Sequence, residues 1–192
     1  MLGLRWQTPK AWADVVRNDF TTFLQDHAAN ERKVAQSALV LATHYPLRAE
    51  LVDAVLEVAE EELAHFRAVW LVLKERGQTL GWDTPDPYMT RMFSLMRKRD
   101  TEEYLLDRLL LYGIVEARGC ERFAMVADAL PEADPLKAFY LDLTRSEARH
   151  HGHYLRLARL YFPHDVVQAR LDELLDREAE IAASLPLRAA LH

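Results

Sequence analysis

Four stretches of this 192-residue chain place apolar residues at steps of three and four, and each stripe is interrupted by a glutamate. Such steps keep one side of a 3.6-residue helix facing inward. A chain with four stripes of this kind folds as long helices packed side by side, with the glutamates carried inside. Of the eight prolines, Pro46, Pro85, Pro87, Pro131 and Pro135 fall between the stripes and punctuate them.

The first long helix is predicted over about Asp19 to Thr43, ended by His44-Tyr45-Pro46 because the residue before a proline avoids the helical region. The second is predicted from about Pro46 to Arg76, with Gly77 as its stop. The third opens at Asp100, which with Glu103 forms a variant capping box, and closes at Pro131. The fourth opens at Asp134-Pro135, a cap followed by proline in the first turn, and stops before Pro163. Shorter helices are expected near Lys10 to Val16, Tyr88 to Lys98 and Asp165 to Ala183. The segment from Gly77 to Asp100 is too long for a tight turn and suits a crossover. The expected fold is all-α, a ferritin-like four-helix bundle with additional short N-terminal, crossover and C-terminal helices, in one domain over residues 1–192.

Glutamate is almost never fully buried unless it is paired or bound to metal. The four inward glutamates are Glu31, Glu62, Glu116 and Glu147, one per helix. Two of them open a Glu-x-x-His motif, Glu62-Leu63-Ala64-His65 and Glu147-Ala148-Arg149-His150. Residues three apart on a helix are neighbours, so each motif can offer a carboxylate and an imidazole to one ion. Glu31 and Glu62 are separated by 31 residues, and so are Glu116 and Glu147. The order Glu, Glu-x-x-His, Glu, Glu-x-x-His is the pattern of carboxylate-bridged dinuclear sites in helical bundles. A lone Glu-x-x-His means little, but six residues falling on inner faces together point to metal. Carboxylate and imidazole donors suit iron or manganese over magnesium, and two iron ions are the expected cofactor. Glu61 and Ser146 are candidates to support the ligands, whereas His27 is expected in the core. Tyr112 is expected to line a cavity or pack, Cys120 to fill the core, and His151 and His153 to face solvent.

Formal net charge is −6, of which two divalent cations would offset four, so global charge excludes little. The single cysteine cannot form an internal disulfide, and no segment resembles a signal peptide or membrane span. A cytoplasmic protein, with no membrane partner, is expected.

The sequence is similar to the tRNA hydroxylase MiaE family. The resemblance is carried by Thr8-Pro9 and Trp12, by Asp26-His27-Ala28-Ala29-Asn30-Glu31 and by Glu61-Glu62-Leu63-Ala64-His65-Phe66. Its most specific parts are Glu116-Ala117-Arg118-Gly119-Cys120-Glu121-Arg122-Phe123 and Ser146-Glu147-Ala148-Arg149-His150. It implies a dioxygen-dependent non-haem di-iron monooxygenase that hydroxylates the prenyl side chain of the modified adenosine next to the tRNA anticodon. The ligands would be Glu31, Glu62, His65, Glu116, Glu147 and His150. The partners would be tRNA and a separate reductase or ferredoxin-type electron donor, and the protein would be a monomer. The alternative is a ferritin- or rubrerythrin-like ferroxidase or peroxidase without an organic substrate. Rubrerythrins usually append a Cys-x-x-Cys module, for which one cysteine leaves no provision. A metal-free interaction module would leave the six inward polar residues unexplained.

One surface feature stands out in an acidic chain. Arg91, Arg97, Lys98 and Arg99 gather four cations within nine residues of the crossover, interleaved with Met92, Phe93, Leu95 and Met96. This segment is expected to contact the backbone of the anticodon stem-loop. Its alternative role is to solvate a short helix or to pair with Asp86 and Asp100.

Overall fold

The structure is a computed structural model and describes residues 3–98 and 101–192. Among the described residues the regular structure is entirely helical: α1 (Ala11–Asn18), α2 (Phe20–His44), α3 (Ala49–Glu75), α4 (Pro87–Ser94), α5 (Thr101–Ala129), α6 (Pro135–Tyr161) and α7 (His164–Ser184). They gather into two compact units.

One unit comprises Asp14–Pro85 and Arg188–Leu191. Its frame is the helical hairpin α2–α3, joined by a short turn around Pro46. The Asp19 carboxylate accepts from the Thr22 N–H and opens α2. α3 starts at Ala49 rather than at Pro46, because Arg48 N–H still closes a turn onto the Tyr45 carbonyl. α3 ends as expected at Gly77, which takes φ +68°, while Gln78 N–H reaches back to the Leu73 carbonyl at 2.9 Å. Phe23, Leu24 and Leu41 of α2, with Leu51, Val55 and Val69 of α3, are wholly buried.

The other unit comprises Met1–Ala13, Asp86–Leu187 and His192. α5 and α6 form its hairpin, and α7 lies against α4, α5 and α6. The Asp134 cap and Pro135 open α6 as expected. Asp100 lies outside the described residues. α4 is shorter than the expected Tyr88–Lys98. Asp86 and Pro87 start it, and it ends at Ser94, whose hydroxyl donates to the Arg91 carbonyl at 2.6 Å. Three residues later the Arg97 N–H is taken by the Asp107 carboxylate at 2.7 Å.

Two charged networks fix α7 to this unit. Asp107, wholly buried on α5, accepts from Arg97 and from Arg170 of α7, with Nη–O distances of 2.7 and 2.8 Å. Burial alone would raise the Asp107 pKa, but hydrogen bonds from Arg97 and Arg170 hold it below its ordinary value. Arg118, also wholly buried on α5, grips Glu178 of α7 through Nε at 2.9 Å and Nη2 at 3.0 Å. Tyr88 of α4 donates to the same carboxylate at 3.1 Å. Arg118 also donates to the Trp6 carbonyl at 3.0 Å and pairs with Glu121, which in turn receives the Thr8 hydroxyl at 2.7 Å. Burial and Glu178 push the Tyr88 phenol well above its ordinary pKa, so it remains a donor.

Candidate metal centre

Each hairpin presents one triad of buried donors. In the unit of α2 and α3, Glu31 on α2 and the Glu62–His65 pair on α3 each bring a ligand atom within 4.8 Å of the others. His65 Nδ1 lies 3.5 Å from Glu62 Oε2 and 3.9 Å from Glu31 Oε2. In the unit of α5 and α6, Glu116 on α5 and the Glu147–His150 pair on α6 do the same. There His150 Nδ1 lies 4.0 Å from Glu147 Oε2. These separations exceed a hydrogen bond. They fit two donors on a shared ion, which at ~2.1 Å from each could stand up to ~4.2 Å apart.

The helix spacing explains both triads. A step of three residues stacks the carboxylate and imidazole of each Glu-x-x-His on one face, and the hairpin partner supplies the third donor. All four glutamates are at most 4% exposed, a burial that carboxylates tolerate only with compensating charge. The donor set therefore fits divalent iron or manganese. The His150 side chain is 1% exposed and that of His65 18%, so the α2–α3 triad is the more open.

His27 is a core histidine with a task the sequence alone did not assign. It is fully buried on α2, and its Nε2 lies 2.6 Å from Glu31 Oε1. Burial first, and the neighbouring His65 second, lower its pKa to about 3. The imidazole is therefore neutral near pH 7, and Nε2–H donates to the carboxylate. The signal was available: His27 and Glu31 are four apart on one helical face.

Tyr112 packs edge-on against Tyr154 with ring centroids 5.6 Å apart, one turn from Glu116 and one turn from His150 respectively. The Tyr112 hydroxyl accepts from Arg108 at 3.2 Å. The half-buried Cys120 thiol donates to the Thr144 carbonyl at 3.3 Å, and burial raises its pKa, as suits a packing residue. Ser146 is buried and accepts from Arg149 at 3.2 Å. His151 departs from its expected solvent-facing role. It is half-buried and its Nδ1 stands 2.7 Å from the Gly113 carbonyl, because α5 and α6 cross closely there. His153 is likewise only partly exposed.

The cations of the crossover are distributed unevenly. Arg91 is exposed on α4 and donates to the Ser184 hydroxyl at 2.8 Å. It lines a shallow surface cavity of about 300 Å³ with Arg177, Glu180 and Ser184 of α7. Arg97 is committed to Asp107 and Glu103, while Lys98 is exposed. Arg99 lies outside the described residues. Arg97 thus pairs with Asp107 and Glu103, and the expected partner Asp100 lies outside the described residues.

Among the described residues, no helix is long and apolar enough to cross a membrane. A solved protein from Synechococcus with aldehyde deformylating oxygenase activity matches 97% of this chain and 92% of its own, at a TM-score of 0.89 and 32% sequence identity. This likeness makes the fold ferritin-like and all-α. The tRNA 2-(methylsulfanyl)-N(6)-isopentenyladenosine(37) hydroxylase of Pseudomonas putida is 37% identical over 154 residues, covering 80% of this chain and 74% of the relative. The enzyme of the same name from Salmonella typhimurium is 35% identical over 159 residues, covering 83% of this chain. The chain spans 57% of that relative's length. Residues 2–192 match the family described as tRNA-(MS[2]IO[6]A)-hydroxylase (MiaE). With the family's motifs in place along its helices, the chain belongs to the MiaE family.

Proposed function

We propose that this chain is a dioxygen-dependent di-iron monooxygenase that hydroxylates the isopentenyl side chain of the modified adenosine next to the tRNA anticodon. The observation that carries this reading is the repeated triad: Glu31, Glu62 and His65 in one hairpin, Glu116, Glu147 and His150 in the other. Family membership supports it, as do the names of the two tRNA hydroxylases.

In this account Glu31, Glu62, His65, Glu116, Glu147 and His150 would hold two iron ions, and the four carboxylates would neutralise the four charges of a ferrous pair. When bound, the irons supply dioxygen activation, which with two electrons and two protons puts one oxygen atom into a C–H bond and releases the other as water. The electrons come from a separate reductase or ferredoxin-type donor. The protein positions and shields. His27 orients Glu31 by donating to Oε1. The Tyr112–Tyr154 ring pair packs one turn from Glu116 and from His150, where it would help to keep water from the reaction. The crossover segment of Arg91, Arg97, Lys98 and Arg99 contacts the tRNA backbone, with Arg91 and Lys98 the exposed members among the described residues. The working unit is one monomeric domain in the cytoplasm, where tRNA is found.

The test is to reduce the iron-loaded protein, expose it to dioxygen with prenylated tRNA, and analyse the nucleosides by mass spectrometry. The expected product is the prenylated adenosine heavier by one oxygen atom. If prenylated tRNA is untouched while ferrous iron or peroxide is turned over, the ferroxidase or peroxidase alternative replaces this reading. Conversion of a long-chain aldehyde instead would ally the chain with the activity named for its Synechococcus neighbour.

A further inference from the structure

Trp82 is 97% exposed, although the chain buries most of its other large apolar side chains. It sits in the segment that follows α3, within the same compact unit as Glu31, Glu62 and His65. An exposed tryptophan on a slack loop would mean little, but this one is held on both sides. Its successor, Asp83, takes a two-pronged grip from Arg32 Nη2, at 2.8 and 2.7 Å. Its predecessor, Gly81, has φ +72°, and a Cβ there would meet the Gln25 side chain at 3.1 to 3.3 Å. Gln25 Nε2 in turn donates to the Thr79 carbonyl at 2.8 Å. The segment is thus laid along two turns of α2, from Gln25 to Arg32, with the indole standing outward between its two anchors.

The anchor matters for position. Arg32 directly follows Glu31, so Trp82 is tied, through Asp83, to the residue next to a candidate ligand. Glu31 belongs to the more open of the two triads, the one whose His65 side chain is 18% exposed. Lys33, next on the helix, adds a second cation that acts on Asp83. A large exposed π-face on an anchored segment, with Arg32 and Lys33 near its Asp83 anchor, has the chemistry that receives an unpaired nucleobase and its phosphate.

We propose that Trp82 is a stacking platform for an unpaired base of the RNA substrate, its segment held to α2 by the pair that Asp83 makes with Arg32, the residue after Glu31. This rests on the hydroxylase reading and adds a binding residue to it.

The experiment compares iron-loaded wild type with Trp82→Ala and Trp82→Phe. The probes are an RNA hairpin carrying prenylated adenosine in its loop and a fully paired RNA duplex. Binding is followed by titration and by acrylamide quenching of tryptophan fluorescence. Hairpin binding should shield the quenchable tryptophan of the wild type. Trp82→Ala should weaken hairpin affinity by about 5- to 150-fold, Trp82→Phe should restore most of it, and duplex affinity should change little. Helical signal and iron content should stay at the wild-type level in both variants. Equal hairpin affinity in wild type and Trp82→Ala, or an equal loss for hairpin and duplex, overturns the proposal. So does shielding that appears without RNA as protein concentration rises, since it would assign Trp82 to contact between copies of the chain. A wild type that binds no hairpin at all overturns the hydroxylase reading, and this inference with it.

Discussion

At the residue scale, the decisive side chains are carboxylates placed where water cannot reach them. Glu62 is 1% exposed, and an isolated charge there would be costly. The helical period made this legible: the positions of Glu31, Glu62, Glu116 and Glu147 on inner faces follow from counting threes and fours. The pairing of His27 with Glu31 was less legible, because a buried histidine at that spacing serves equally well as plain packing. Its neutral imidazole, with the pKa lowered to about 3 chiefly by burial, makes Nε2 a donor at any ordinary working pH. Replacing His27 by Ala should therefore leave the helical signal near wild type while weakening iron retention against a chelator by about 10- to 100-fold, as for lost outer partners of metal ligands. Retention equal to wild type would show that Glu31 is oriented by something other than His27.

At the scale of elements, caps and stops with short-range causes were legible. Gly77 and Asp134 each act within a few residues of their own position. The end of α4 was not, because its continuation is diverted by Asp107, ten residues further along the chain. The same carboxylate alters the expected role of the crossover cations. Arg97 is engaged with Asp107, and its removal would leave that buried carboxylate with Arg170 alone. Arg91 and Lys98 can be removed more safely. If they meet phosphates, Arg91→Ala with Lys98→Ala should lower tRNA affinity and flatten its salt dependence by roughly 1.4 to 1.8 log units per log salt, about 0.7 to 0.9 for each contact. An unchanged salt slope, measured over a range of potassium chloride, would move the phosphate contacts to another surface.

At the scale of the whole molecule, long-range polar pairings lay beyond the sequence. Arg118 and Glu178 stand 60 residues apart, and Tyr88 lies 90 residues before Glu178. No periodicity links them, since each only looks like a charge or phenol misplaced on an apolar face. The repeat of the donor triad was legible because each triad is local to its hairpin and has the same 31-residue spacing between its two glutamates. The central proposal is that Glu31, Glu62, His65, Glu116, Glu147 and His150 are the ligands of two iron ions, and Mössbauer spectroscopy of the oxidised, iron-loaded protein in an applied field tests it most directly. The account predicts two irons per chain, spin-coupled to a diamagnetic ground state. One iron per chain, or two magnetically independent high-spin irons, would contradict it.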